Sequence, residues 1–263
     1  MKHELITLHG ILNFQRDMGL TPDGKVGPKT MNAFGAYSDN VPKIGTKRVT
    51  FDLDEKLIPI SYDSIRVRSN ILESIGSVCT CMNVSGAQMT TSGGLRRIGA
   101  NIKVGRSATS LHYVGRAFDL GAYTMLVDPD NDPFVAVREN DKFRIWARAE
   151  YGANVTLDAT YVVGGRRKKD GKYKRKMVSG KFIDFTELAQ SNGWSPIRPQ
   201  VSARSTSGFK FAQVEAWHFQ FEGGLENRRF GEELLELYDY DFLKTTNIWK
   251  KHAHKMWRAR WKG

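Results

Sequence analysis

The sequence predicts an α+β fold: a small antiparallel sheet with flanking helices, preceded by a small all-α N-terminal module. Three observations lead there. Short runs rich in β-branched and aromatic residues stand at 117–120, 154–163 and 213–221, each bounded by polar residues or glycine. Apolar residues recur at helical spacing within 182–192 and 225–238. The first forty residues carry helical periodicity of their own. Such a mixture is best satisfied by helices packed on a sheet around one core.

A length of 263 residues allows one or two domains and a sizeable core, and 40% apolar with 11% aromatic residues is an ordinary globular composition. No run approaches the eighteen or so apolar residues of a membrane span.

Residues 1–40 are expected to form the helical module. Leu8, Ile11, Leu12 and Phe14 mark one helix, and Pro22-Asp23-Gly24 marks a turn. Pro28 suits the first turn of a second helix, with Met31 and Phe34 following at helical spacing. A unit of about forty residues buries little by itself, so it should lean on the rest of the chain or on a ligand. Residues 41–60 are a polar linker with two prolines and room for one short strand.

Residues 61–224 make up the main domain. Ile65, Ile71, Leu72 and Ile75 predict a helix. A loop then runs into a strand at Ala117–Leu120. A β-hairpin is inserted near 154–185, with its tip at Asp170-Gly171. Asp184 is placed to cap a helix over Phe182–Asn192 whose Phe185, Leu188 and Ala189 face inward, and Gly193 ends it. Gln213–Phe221 reads as a strand carrying Glu215 and His218. Residues 225–263 form a C-terminal helical, basic extension: Leu225–Tyr238 with a Glu-rich face, then a tryptophan-rich segment.

The net charge of +12 predicts attraction to polyanions. It is clustered. Residues 164–181 hold nine Lys/Arg against one Asp. The second cluster comprises Trp249, Lys250, Lys251, Lys255, Trp257, Arg258, Arg260, Trp261 and Lys262. A basic, Trp-rich helix can lie on an anionic membrane or lipopolysaccharide surface. The competing reading makes both clusters solvated faces that hold the chain near anionic wall polymers. Nucleic acid is not expected, because no nucleic-acid motif accompanies the charge, and the chain is expected to be a monomer. Cys79 and Cys81, one residue apart, would face the same side of a strand and are read as two small buried residues rather than a disulfide or a zinc site.

The chemistry concentrates in two places. Residues 110–119 read Ser-Leu-His-Tyr-Val-Gly-Arg-Ala-Phe-Asp, and 215–218 read Glu-Ala-Trp-His. Together they offer His112, Asp119 and His218 as metal ligands, with Glu215 as a carboxylate beside the third. Two imidazoles and one carboxylate suit a borderline-soft ion such as Zn2+ and leave a coordination position for water. Glu215 would then be the general base, and afterwards the acid that protonates a leaving amine. His3, His9, His252 and His254 have no such context and read as structural residues.

Ser110, His112, Gly115, Ala117 and Asp119, followed by Glu215 and His218, resemble the paired motifs of the M15 family of zinc peptidases. These are D-Ala-D-Ala carboxypeptidases and L-alanyl-D-glutamate endopeptidases acting on peptidoglycan stem peptides. The resemblance spans roughly 61–224, and the wide spacing between Asp119 and His218 implies an insertion. It implies an oxyanion-stabilising Arg upstream of the first His. Within Thr-Ser-Gly-Gly-Leu-Arg-Arg at 91–97 that is Arg96, with Arg97 and Arg106 behind it. Residues 11–34 resemble a small helical peptidoglycan-binding domain through Phe14, Gln15, Gly19, Leu20, Asp23, Gly24, Gly27, Pro28 and Thr30. The first residues lack the apolar core and cleavage site of a secretory signal. With the resemblance, this implies a bacteriophage endolysin, made in the host cytoplasm and reaching the wall after holin-type release, or a virion-associated lysin. L-Ala–D-Glu cleavage is the first expectation. Carboxypeptidase or cross-bridge cleavage comes next, and a non-catalytic wall-binding protein is a further reading.

Overall fold

The computed structural model describes residues 11–12, 14–40, 43–50, 63–99, 107–122, 124–140, 142–163, 173–197 and 215–257, apart from the side chains at 34–35 and 37–40. Helices and antiparallel strands are mixed as the sequence predicts. In chain order the elements begin with helical residues at 11–12 and 14–17 and then α1 (Pro28–Asn40). Next come β1 (Thr46–Thr50), β2 (Ser64–Arg68), α2 (Leu72–Val84), β3 (Thr91–Gly93) and β4 (Ala117–Leu120). A second run holds β5 (Phe134–Glu139), β6 (Lys142–Val162), β7 (Tyr173–Asp184), α3 (Phe185–Ser191), β8 (Trp194–Pro196) and β9 (His218–Phe221). The chain closes with α4 (Phe230–Leu237), α5 (Tyr240–Thr245) and α6 (Asn247–Met256).

The strands form three antiparallel sheets, β1-β2, β3-β4-β9-β8 and β5-β6-β7. One core lies beneath the second sheet. Phe118 stacks on Phe219 with centroids 5.7 Å apart and meets the edge of Trp194 at 5.0 Å. Ile65, Ile75, Val78, Met82, Phe134 and Phe185 fill the same cluster. Burial on this scale removes large apolar areas from water and holds β4 and β9 flat against each other.

Several elements differ from the sequence reading, each for a local reason. Ile65 lies on β2, not on a helix, because Ile65 and Val67 flank exposed Arg66 with the period of a strand. The helix begins only at Leu72 and carries both cysteines. At 3.6 residues per turn, positions two apart point to opposite sides, so Cys79 is buried and Cys81 exposed. Phe182–Asp184 ends β7, and α3 starts at Phe185, where the Asp184 carboxylate accepts the Glu187 N–H at 3.0 Å. Of Gln213–Phe221 only His218–Phe221 is strand, and residues 213 and 214 lie outside the described residues. The helix expected at Leu225–Tyr238 narrows to Phe230–Leu237.

The inserted hairpin is present and longer than expected. β6 starts at Lys142, bulges between Arg148 and Ala153, and gains β5 as a third strand. Val135, Leu157, Ala159, Val178 and Phe182 give it a small core of its own. The basic tip at 164–172 lies outside the described residues. On the arm itself, Arg175 pairs with Asp158 and Lys176 with Asp130.

The N-terminal residues and the C-terminal helices share a second core. Ile11 and Phe14 pack with Leu111, Val114, Leu234, Leu243 and Trp249, and the Phe14 ring lies 4.7 Å from that of Trp257. Asp17 pairs with Arg229 at 2.7 Å, and the Tyr240 hydroxyl donates to the Met31 carbonyl at 3.2 Å. The N-terminal residues therefore lean on the chain, as their small size requires. The same packing takes two of the tryptophans out of the surface expected of the C-terminal segment. Trp249 and Trp257 are buried core residues, and α6 shows Lys250 and Lys251 to solvent instead. Arg258, Arg260, Trp261 and Lys262 lie outside the described residues. Among the described residues no helix is long and apolar enough to cross a membrane.

Gln15 explains why Phe-Gln and Asp-Gly occur together in the N-terminal segment. It is buried, and its amide donates toward Asp23 Oδ1 at 2.7 Å, the Lys25 carbonyl at 2.9 Å and Thr30 Oγ1 at 3.1 Å. Its carbonyl accepts the Gly24 N–H at 2.8 Å. The turn at 22–25 is thus held from inside by Gln15, with Thr30 Oγ1 also donating to the Lys25 carbonyl at 3.1 Å.

Candidate metal centre

Three segments meet at the N-terminal end of β9. In the β4–β9 ladder Asp119 stands directly opposite His218. Residues paired across an antiparallel ladder project from the same face, so the pairing puts carboxylate and imidazole side by side. His112 arrives from a 3-10 turn, Leu111–Val114, seven residues before Asp119. Gly115 ends that turn at φ 67°, and a β-carbon there would lie 2.7 Å from the backbone nitrogen of Arg68. Both the left-handed backbone and the closeness of β2 require glycine. Ser110 starts the turn with its carbonyl, which accepts the Tyr113 N–H at 3.0 Å, and makes no side-chain cap.

The three ligand atoms lie within 4.8 Å of one another. His112 Nε2 is 3.2 Å from Asp119 Oδ1 and 3.2 Å from His218 Nδ1, and His218 Nδ1 is 2.9 Å from Asp119 Oδ1. Ligands about 2.0–2.1 Å from a tetrahedral ion would be separated by about 3.3 Å, so the triangle has the size of one face of such a site. The proton pattern agrees. A carbonyl only accepts, so the 2.7 Å contact between His112 Nδ1 and the Gly94 carbonyl places a proton on Nδ1. Nε2 is then the atom that faces the other two, and it offers a lone pair to a cation once the proton it shares with Asp119 has left. Both histidines are buried and Asp119 is half-buried. Burial pushes the Asp119 carboxyl upward, but hydrogen bonding and charge from His112 and His218 outweigh it and hold the group well below the usual carboxylate range. His112, Asp119 and His218 could therefore hold a divalent cation without rearrangement.

The other residues named from the sequence are placed differently. Glu215 is in the turn that launches β9, at φ 40°, an uncommon conformation for a residue with a β-carbon. Its carbonyl accepts the His218 N–H at 2.9 Å, and its carboxylate is not one of the clustered ligand groups. Arg96 is tied to the His112 turn through its backbone, which donates to the His112 carbonyl at 3.0 Å. Its guanidinium lies 5.7 Å from the centre of the Tyr113 ring. Arg97 is exposed, and Arg106 lies outside the described residues. His252 and His254 sit on α6 and join no ligand cluster among the described residues, whereas His3 and His9 lie outside them. Sequence reasoning missed the Gly94 carbonyl, which no side-chain pattern signals, and Arg116, whose position inside the first motif was visible but given no role.

The architecture defines a class: an α+β domain with a three-residue His/Asp/His cluster on its sheet, packed against a helical N-terminal unit. Residues 6–34 match the family described as putative peptidoglycan binding domain. That gives the chain a cell-wall-related function with peptidoglycan as a partner. No curated protein and no solved structure matches the chain.

Proposed function

We propose that this chain is a zinc-dependent peptidase that cuts peptidoglycan stem peptides, with the L-Ala–D-Glu bond as the favoured target and cell-wall lysis as its role. The observation that carries the reading is the convergence of His112 Nε2, Asp119 Oδ1 and His218 Nδ1 from three separate segments. When bound, zinc supplies a Lewis acid for the scissile carbonyl and a water acidified to near neutral pKa. His112, Asp119 and His218 hold the ion, and the Gly94 carbonyl keeps the His112 ring in the tautomer that can ligate. Glu215 takes a proton from water and passes it to the leaving amine. Arg96, anchored beside the His112 turn, presents positive charge to the developing oxyanion. The N-terminal unit keeps the domain on its polymer, raising the local concentration of stem peptides.

The phage endolysin setting, reached through holin-type release or on a virion, belongs to the same proposal and rests on the motif resemblance. Carboxypeptidase and cross-bridge endopeptidase action are the nearest variants. A second reading is a non-catalytic wall-binding protein with a dead or regulatory metal site; the match of residues 6–34 to a peptidoglycan-binding family would account for wall contact without cleavage. The deciding experiment is mass spectrometry of purified peptidoglycan digested with the protein, with and without a zinc chelator. New amino termini on D-Glu that vanish with chelator are expected, and loss of terminal D-Ala would select the carboxypeptidase variant. Sacculi bound but uncut by zinc-loaded protein would leave the second reading standing.

A further inference from the structure

Arg116 lies inside the segment that joins two of the three clustered residues, four positions after His112 and three before Asp119. It is buried, and it is bonded in every direction that bears on the cluster. Its Nε donates to Glu233 Oε2 on α4 at 2.6 Å, and its Nη1 donates to the Gly223 carbonyl just beyond β9 at 2.8 Å. Its guanidinium lies 5.9 Å from the centre of the Phe221 ring at the end of β9. Its backbone N–H donates to the Leu111 carbonyl at 3.0 Å, and its own carbonyl accepts the Phe221 N–H at 2.8 Å. One residue thus grips the His112 turn, the start of the Asp119 strand and the far end of the His218 strand.

Glu233 is the fixed point of this arrangement. It is 0% exposed and also pairs with Arg68 and, at 3.0 Å, with Arg228 Nε. Arg68, equally buried, pairs with Glu236 and donates its backbone N–H to the Gly115 carbonyl at 3.3 Å. Buried ion pairs are costly to desolvate, and apolar packing of similar volume would serve stability as well or better. What charged partners add is direction: a guanidinium fork accepts few geometries.

We infer that Arg116, anchored by Glu233, is a positioning residue that sets the spacing of His112, Asp119 and His218. The inference rests on the metal-site reading above. It gives α4, a helix more than a hundred residues beyond the first motif, control over ligand geometry. Partners bonded directly to metal ligands typically change metal affinity by about 10–100-fold when altered, and Arg116, whose side chain bonds the segments around the ligands and not the ligands, is expected at the lower end of that range.

The test is Zn2+ alone, titrated into the full chain by calorimetry in competition with a chelator, with folding followed by circular dichroism. Arg116→Lys keeps the charge but cannot serve both Glu233 and the Gly223 carbonyl, and it should bind about 10-fold more weakly while folded. Glu233→Gln should lose at least as much. Arg228→Gln removes a partner of the same carboxylate without touching either ligand segment, and should bind as the wild type does. No binding by the wild type would overturn the metal-site reading and this inference with it. Binding by the wild type that a folded Arg116→Lys retains in full would overturn this inference alone. Failure of both Arg116→Lys and Glu233→Gln to fold would also overturn it, because the network would then be holding the core and not the ligand frame.

Discussion

Replacing Trp257 with alanine tests whether the two ends of the described chain share one core. The indole is fully buried. It lies 4.7 Å from the Phe14 ring and 6.5 Å from that of Trp249, and a β-carbon on Gly231 would come within 2.8 Å of it. A cavity bounded by three separate elements closes poorly, so the loss should sit in the range for buried aromatic truncation, about 3–5 kcal/mol. For a chain of this size each kcal/mol moves Tm by about 2–4 °C, giving a fall on the order of 10 °C. The assay is thermal unfolding by circular dichroism with excess chelator, which removes any contribution from metal, paired with limited proteolysis of residues 11–40. Faster cleavage there should accompany the lower Tm. A loss below about 1 kcal/mol with an equally protected N-terminal segment would refute the shared core.

Three further outcomes are expected. Glu215→Ala should keep zinc but lose turnover of peptidoglycan, whereas His112→Ala should lose both; metal analysis beside a digestion assay separates them, and wild-type rates in Glu215→Ala would remove it as the base. Asp132 is buried, and burial lifts its carboxyl from about 3.8 to about 6 although it accepts the Val127 and Asp128 N–H groups at 2.9 and 2.8 Å. A raised value in the folded state means stability fully present below pH 4 and lost as pH rises through 6, by about 3 kcal/mol at about 1.4 kcal/mol per pH unit. Asp132→Asn should flatten that slope in urea melts at pH 4 and 7, and an unchanged slope would count against it. Gln15→Ala removes the bonds to Asp23, Gly24 and Lys25 and leaves Thr30 on the Lys25 carbonyl, so binding to purified sacculi should fall at least several-fold in a pelleting assay; unchanged binding would separate the turn from the wall contact.

The strand at Ala117–Leu120, the Asp184 cap and the inserted hairpin were legible because each rests on local pattern. The three clustered side chains were legible as residue types, while their meeting depends on the β4–β9 register, which spacing alone does not give. Ile65 misled because a strand of five residues feeding directly into a helix blurs two periods into one. The C-terminal tryptophans misled because composition does not say which side of a helix is covered. Trp249 and Trp257 look like membrane anchors until Phe14 is seen beside one of them. The acidic residues of α4 were legible only as a Glu-rich face, and Glu233 and Glu236 point into buried arginines from distant segments. Pairing of that kind leaves no trace in local periodicity.

Asp119 and His218 are 99 positions apart in the chain and yet directly opposed across a ladder. The chain leaves the sheet after β4, re-enters it as β8 and then pairs β9 between β4 and β8, so the donor triangle does not depend on the length of the β5–β7 arm that lies between. Lengthening a loop adds only about 0.6 kcal/mol of closure entropy per doubling. The outer part of the β6–β7 hairpin, where Leu157, Ala159 and Val178 pack on the arm's own small core, is therefore the part of this chain that can be lengthened, shortened or exchanged for another target surface, while Phe134, Phe185 and Trp194 must stay beneath the donors. What must be conserved in any such graft is parity: β9 re-entering one residue early or late would turn His218 to the opposite face.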